Sequence, residues 1–346
     1  MKLAVFTGVG QVAFDDRPNP IPGDDQVLVK VQTCALCTWE QRVYTGAKRI
    51  EFPFVGGHEV AGVIEKIGPM VNTDRWYIGQ KVVMGLITAC NECTTCKEGN
   101  AQSCPNLSQS LPHDGLPYLG IGGLSEYMLV NTINLFPYSN VTPEEAALIE
   151  PLSCVLQSVE RADIHMGDTV VVIGCGFMGQ LHIRLAKLRG ARVIASDPKQ
   201  ERLDFAISMG ADHCVNPQQT NLIQVVKEIT DGRGAQIVFD TVPIAELVQP
   251  AIECLSTMGK LMLYSSFYPD KPIAISPDTI HKKALSIMGA ANSGSKDFVV
   301  ASRLISDGII SVKPFISKVF PFAELDKALK TAASGEQYRV IVKMDI

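Results

Sequence analysis

Residues 169–197, TVVVIGCGFMGQLHIRLAKLRGARVIASD, constrain this chain more than any other stretch. The apolar, β-branched run at 170–173 has the length of a buried strand. It leads straight into Gly174-Cys-Gly176-Phe-Met-Gly179. Leu181, Ile183, Leu185, Ala186 and Leu188 then supply the apolar positions of a helix that Gly190 stops, and a second strand at 192–196 ends on Asp197. Strand, glycine-rich turn, helix and strand make the βαβ unit of a dinucleotide fingerprint. Gly174 allows the tight turn, Gly176 lets backbone approach a pyrophosphate, and Gly179 lets the helix pack close to the sheet. The N–H groups of Phe177 and Met178, at the helix start, are the expected phosphate donors. Asp197 has the spacing of an acid that accepts hydrogen bonds from ribose hydroxyls and repels a 2′-phosphate, which selects NAD over NADP. Arg202 joins this candidate cofactor-binding set.

The ten cysteines need an explanation of their own. The N-terminus, MKLAVFTGVG, reads as a first strand and not as a signal peptide, and no apolar run approaches the roughly eighteen residues that span a bilayer. The expected location is cytoplasmic, where clustered cysteines point to metal or catalysis and not to disulfides. A net charge of −5 gives no electrostatic case for nucleic acid or an anionic membrane. Cys90, Cys93, Cys96 and Cys104 put four thiols into one short polar loop, which suits a closed tetrahedral zinc. That loop buries too little apolar surface to hold its own shape, so the metal there is structural. Cys34 and Cys37 form a second pair. Cys34 reads as a buried strand-end thiol and Cys37 as the functional one, because His58 and Glu59 follow side by side at a strand entrance in PFVGGHEVAG. Thiolate, imidazole and carboxylate together suit a catalytic zinc with one open position.

A chain of 346 residues is expected to form two domains. Strands are expected at 2–7, 26–33 and 60–68 and within 123–137, in an antiparallel, barrel-like arrangement. Thr142-Pro-Glu-Glu145 carries the signature of a helix start, with Thr as N-cap and Glu at the capping-box position. That helix is expected to reach Glu150, and another to cover 152–162. After Asp197, helices at 200–209, 222–230 and 244–255 alternate with strands at 214–215, 235–240, 260–265 and 286–289. This alternation implies a parallel, doubly wound sheet. Helices at 297–306 and 322–333 and a strand at 339–343 complete the chain.

In the order and spacing of Cys37, Gly57-His58-Glu59, the four-cysteine lobe, Glu150-Pro-Leu and GCGFMG, the chain resembles the zinc-dependent medium-chain dehydrogenase/reductase family over nearly its whole length. Within it, Ala147-Leu-Ile-Glu150-Pro-Leu-Ser153 is similar to the polyol dehydrogenase branch, typified by sorbitol dehydrogenase. The resemblance implies an α/β protein: a GroES-like catalytic domain over 1–152 with its zinc lobe at about 88–106, a Rossmann domain over 153–290, and a segment over 291–346 returning to the catalytic domain. It implies two zinc ions per subunit, the catalytic one in the cleft between the domains, NAD, a small-molecule alcohol substrate, and a homodimer or homotetramer. Cys37 and His58 would be ligands of the catalytic zinc. Glu59 would be a ligand or lie close by, and Glu150 would complete the sphere directly or through water. Arg339 matches a position where some members place an arginine on the pyrophosphate.

One position departs from the family. The residue two after the first ligand is usually a Ser or Thr that starts a proton relay, and here it is Trp39. Thr38 is one residue earlier and, on an extended segment, would point to the opposite side. Water, Glu59 or Thr38 would then carry the relay, with Trp39 as a flat wall for a polyol. Oxidation of a polyol, sugar or cyclitol is the reading that the resemblance favours. A secondary-alcohol or threonine-type dehydrogenase is the alternative, to be separated by a substrate panel. Arg42, Lys48 and Arg49 would suit a substrate bearing a carboxylate or phosphate, or would form a solvated face. A third reading, an NAD- and zinc-binding protein without turnover, calls for lost catalytic ligands, whereas Cys37, His58, Glu59 and Glu150 are all present.

Overall fold

The computed structural model describes residues 1–86, 89–107, 115–267 and 269–344. Two compact units emerge: residues 1–153 with 292–346, and residues 154–291.

The second unit is built on a six-stranded sheet. Its strands run His213–Val215, Arg192–Ser196, Thr169–Ile173, Ala235–Asp240, Leu255–Leu263 and Ser286–Gly289, all parallel. Chain order reverses between the strands starting at Thr169 and Ala235, the switch point at which such sheets bind ligands. Thr169–Ile173 is buried along its whole length, as a central strand covered on both faces must be. The expected helix at 244–255 is shorter, with a 3₁₀ turn at Ala245–Leu247 and a helix at Val248–Glu253. Leu255 instead opens a strand. It pairs with Ala235, the chain bulges with Met258 at φ 61°, and pairing resumes at Lys260 opposite Ile237. A helix at Pro277–Lys283, capped by Ser276, was not expected from the sequence.

Asp240 ends the strand after the switch point, fully buried, and its Oδ2 has no hydrogen-bond partner among the described residues. Burial pushes its carboxyl up to about 6, against the help of the Val242 N–H. The unfolded chain therefore releases this proton first, and stability drains away as pH rises from about 4 through 6. Asp240→Asn is expected to raise the melting temperature at pH 8 by more than at pH 5. The difference corresponds to about 1–3 kcal/mol, read by calorimetry at both pH values.

The first unit centres on the strand Gln26–Ala35, which pairs antiparallel with Glu59–Ile67, Tyr127–Asn131 and Arg339–Lys343. Strands Ile316–Pro321, Lys81–Met84 and Leu135–Pro137 extend this sheet. Val27, Val29 and Val31 alternate into a core that also takes Ile64, Val82, Leu124, Met128 and Leu329. A second sheet joins Gln11–Asp16, Lys2–Gly8, Phe54–Val55 and Leu119–Gly120. The C-terminal strand is the tie that matters for the site. Ile341 pairs with Ala35, and Leu36 N–H donates to the Val340 carbonyl at 2.9 Å, so Arg339 arrives beside Cys37.

Candidate active site

Cys37 is the N-cap of a helix at Thr38–Tyr44, so this segment is not extended. Successive side chains are rotated by roughly 100°, not by half a turn, and this revises the expectation for Thr38. Thr38 is exposed, while Trp39 is half-buried with its ring 5.3 Å from Phe54 and edge-on to His58 at 6.5 Å. Glu40, one turn after the N-cap, is fully buried. Its Oε1 accepts from the Gly57 N–H at 3.0 Å and meets His58 Nδ1 at 2.9 Å. That carboxylate fixes the imidazole with Nε2 turned away from Glu40, the arrangement that carboxylates impose on metal-binding histidines. The spacing Cys37-x-x-Glu40 carried this signal, but only once the segment is taken as a helix.

Ligand atoms of Cys37, His58 and Glu59 all lie within 4.8 Å of one another. Glu59, at the start of its strand, is fully buried and bonded to the Arg339 guanidinium. Arg339 itself is only 5% exposed and is an internal partner of the acid beside the site. Glu150 sits in the first turn of the helix Ile149–Ala162. The Thr142–Glu145 capping box forms as expected, but its helix covers only Pro143–Ala146. His58 and Glu150 line one small cavity with Leu86, Asn292, Ser293 and Phe298. Asn292 and Ser293 had no sequence signal. They are brought in by the return of the chain, with Ser293 Oγ 2.7 Å from Ser153 Oγ.

The electrostatics show what the site could hold. Cys37, Glu40, Glu59 and Glu150 are four acidic groups, with Arg339 as the fixed cation among them. Burial pushes Glu59 up to about 7 despite Arg339, and Glu150 adds to the rise. Burial raises Cys37 as well, and Glu59 reinforces it. For His58, burial opposes the charged ring, but the Glu40 carboxylate and Cys37 outweigh it and raise the group well above its ordinary value. Acidic groups pushed toward their neutral forms by burial and by one another are held as anions only by a further cation. Thiolate, imidazole and carboxylate within reach of one ion are a donor set that fits zinc. Glu40→Gln is expected to lower kcat/KM about 10–100-fold while the zinc content, measured by atomic emission, stays near two per chain.

The cysteine lobe is described from Ala89 to Leu107, and residue 88 of its expected extent lies outside the described residues. Its sulfurs are separated by 3.5 Å for Cys93–Cys96 and Cys90–Cys104, 3.8 Å for Cys93–Cys104 and 4.0 Å for Cys90–Cys96. Four sulfurs at about 2.3 Å from one zinc stand about 3.8 Å apart, so this cage has the size of a tetrahedral site. Disulfide sulfurs would stand at about 2.05 Å. The Asn106 side chain and the Cys93 N–H donate to Cys90 Sγ at 3.3 and 3.4 Å, and together with the Glu92 backbone they lower that thiol to about 6.

In the other unit the fingerprint glycines take distinct environments. Gly174 has φ 90°, the left-handed region of a tight turn. A Cβ on Gly179 would sit 1.8 Å from the Gly174 carbonyl oxygen, so helix and turn are in contact there. A Cβ on Gly176 would meet nothing within 4 Å. Open space over Gly176, at the N-terminus of the helix Phe177–Leu188, fits a pyrophosphate approaching backbone. Met178 lies in the helix's first turn. Asp197 is 3% exposed, and both its oxygens already hold backbone: Oδ2 accepts from the Cys175 N–H at 2.8 Å and Oδ1 from the Lys199 N–H at 2.9 Å. It therefore also ties the glycine turn to the second strand. Arg202 Nη1 stands 3.9 Å from Asp197 Oδ2.

The sequence matches the model of the alcohol dehydrogenase GroES-like domain over residues 23–140 and that of the zinc-binding dehydrogenase over residues 178–307. It is 31% identical to 2-dehydro-3-deoxy-L-galactonate 5-dehydrogenase of Pseudoalteromonas atlantica, over 91% of this chain and 90% of that one. Sorbitol dehydrogenase of Halalkalibacterium halodurans is 28% identical over 99% of each chain. Among solved structures, galactitol-1-phosphate dehydrogenase of Escherichia coli is similar with a TM-score of 0.87 at 25% identity, covering 99% of this chain and 100% of that one. The chain belongs to the zinc-dependent medium-chain dehydrogenase/reductase family, in its polyol dehydrogenase-like branch, and is an NAD-dependent oxidoreductase of alcohols with a GroES-like and a Rossmann-type domain.

Proposed function

We propose that this enzyme oxidises a secondary alcohol of a polyol, sugar or sugar acid to a ketone, with Cys37, His58 and Glu59 holding the catalytic zinc. The observation that carries this reading is the meeting of these three ligand atoms within 4.8 Å, with Glu150 and His58 on one cavity. Zinc bound there supplies a Lewis acid for the alcohol oxygen, and bound NAD supplies the hydride acceptor. The chain's own residues do the rest. Glu40 holds His58 in one tautomer and orientation. Arg339 opposes the burial that favours the protonated form of Glu59. Glu150 is the carboxylate facing the cavity, placed to orient the substrate hydroxyl or to accept its proton through water. Thr38, exposed at the helix start, is the weaker candidate for that relay. Trp39 walls the site. Gly174, Gly176, Phe177, Met178, Gly179, Asp197 and Arg202 form the cofactor cradle, and Cys90, Cys93, Cys96 and Cys104 hold the structural zinc. None of the described helices is long and apolar enough to cross a membrane. The proposed location is the cytoplasm, and the proposed assembly a homodimer or homotetramer.

The test is NADH formation at 340 nm against polyols, inositols, aldonic acids, polyol phosphates, simple secondary alcohols and threonine, with NADP in parallel. Turnover of a polyol or sugar acid with NAD, lost on chelation and restored by zinc, is the expected result. Turnover confined to threonine or to simple alcohols would overturn the substrate class, and turnover of nothing by the zinc-loaded enzyme would overturn the activity.

A further inference from the structure

We infer that Lys48 reads a negative charge on the substrate, so that the alcohol oxidised here carries a carboxylate or a phosphate a few carbons from the reacting hydroxyl. This rests on the dehydrogenase reading above. Lys48 Nζ lies 5.4 Å from the centroid of the Trp39 ring, and the same ring meets His58 edge-on at 6.5 Å. One indole thus neighbours both an ammonium group and a proposed ligand of the catalytic metal. A six-carbon chain spans roughly 6 Å between its ends when extended, from C–C bonds of about 1.5 Å. A substrate with its hydroxyl at the metal and its chain along the indole would bring its far end toward Lys48.

The ammonium is placed but not neutralised. Resting a lysine on an indole costs it side-chain freedom, and the cation–π attraction offsets part of that cost. No ion pair with a carboxylate is formed by Lys48 among the described residues. Arg49 follows it, exposed, in a chain whose overall charge is −5. The indole Nε1–H is buried without an acceptor among the described residues. Trp39, which departs from the small hydroxyl residue of the family pattern, supplies the surface that holds Lys48 at that distance.

Three probes that differ in their charged end test this: galactitol, L-galactonate and galactitol 1-phosphate. Each is given to the zinc- and NAD-loaded wild type, Lys48→Met and Lys48→Arg. The wild type is expected to prefer one or both anions. Lys48→Met is expected to lower the ratio of anion to galactitol kcat/KM at least about tenfold, mainly through KM, and Lys48→Arg to restore part of it. Loss confined to the phosphate names a polyol phosphate, and loss confined to the carboxylate names a sugar acid. Equal losses for neutral and anionic probes, or a wild type indifferent to charge, would overturn the inference. Calorimetric binding of both anions in the presence of NADH separates this from the oxidation reading. Anions that bind in a Lys48-dependent way, with none of the three probes oxidised, would support the charge reading and sink the oxidation. Galactitol oxidised with neither anion bound would do the reverse.

Discussion

Cys37→Ala is expected to oxidise the enzyme's alcohol at least about a thousandfold more slowly than the wild type, to carry one zinc per chain, and to bind NADH as before. The size of the loss follows from removing a Lewis acid worth several kcal/mol of transition-state stabilisation, at 1.36 kcal/mol per tenfold. Alanine takes away the thiolate among the three grouped ligands and leaves His58 and Glu59 without the third. The fold should tolerate the change. Cys37 makes no side-chain cap to its helix, and the Glu59–Arg339 pair and the Glu40–His58 bond do not depend on it. NADH fluorescence should be unchanged because the cofactor cradle is built in the other unit from its own strands. Metal analysis, fluorescence titration and the 340 nm assay are read on the same preparation. Two zinc ions with near-wild-type turnover would remove Cys37 from the ligand set. Cys37→Ser serves as a control, since a hydroxyl does not ionise as a thiol does and should restore little.

How far this site can be read in the sequence depends on how local each part is. The glycine fingerprint and the four-cysteine lobe are legible because turn, helix start and ligand cage each lie within one short stretch. Cys37 and the His58–Glu59 pair are legible as a set because one strand and its neighbour bring them together. Glu40 is different: its place on His58 Nδ1 follows from a helix that begins at Thr38, and a seven-residue helix gives too little periodicity to be seen. Arg339 is the extreme case. Its bond to Glu59 crosses 280 residues and exists only because the last strand pairs Ile341 with Ala35. No spacing rule carries that. The strand Ile316–Pro321 escaped for a related reason: its pattern is mostly half-exposed at the sheet edge, and its partner lies downstream in the same returning segment.

The structural lobe is where metal, fold and substrate site meet, and Cys104→Ala tests that link. Cys104 Sγ stands 3.5 Å from Cys90 and 3.8 Å from Cys93, so its loss opens the cage on two edges. Among the described residues, little else holds the lobe. Its two short helical turns, Thr94–Lys97 and Ala101–Ser103, bury no residue of their own. The variant is expected to keep one zinc per chain, the catalytic one, and to become open to tryptic cleavage after Lys97. The consequence for catalysis runs through one hydrogen bond. Asn292 Nδ2 donates to the Gln102 carbonyl at 3.3 Å, and Asn292 lines the cavity that His58 and Glu150 share. When the lobe opens, Asn292 loses the carbonyl that orients it. KM should then rise about tenfold or more with kcat changed much less, because the proposed zinc ligands Cys37, His58 and Glu59 belong to other elements. A lobe cut by trypsin with KM unchanged would mean that Asn292 is oriented by its own loop and that the structural zinc serves stability alone. A fall in kcat equal to that in kcat/KM would instead place the lobe's influence on the metal cluster itself.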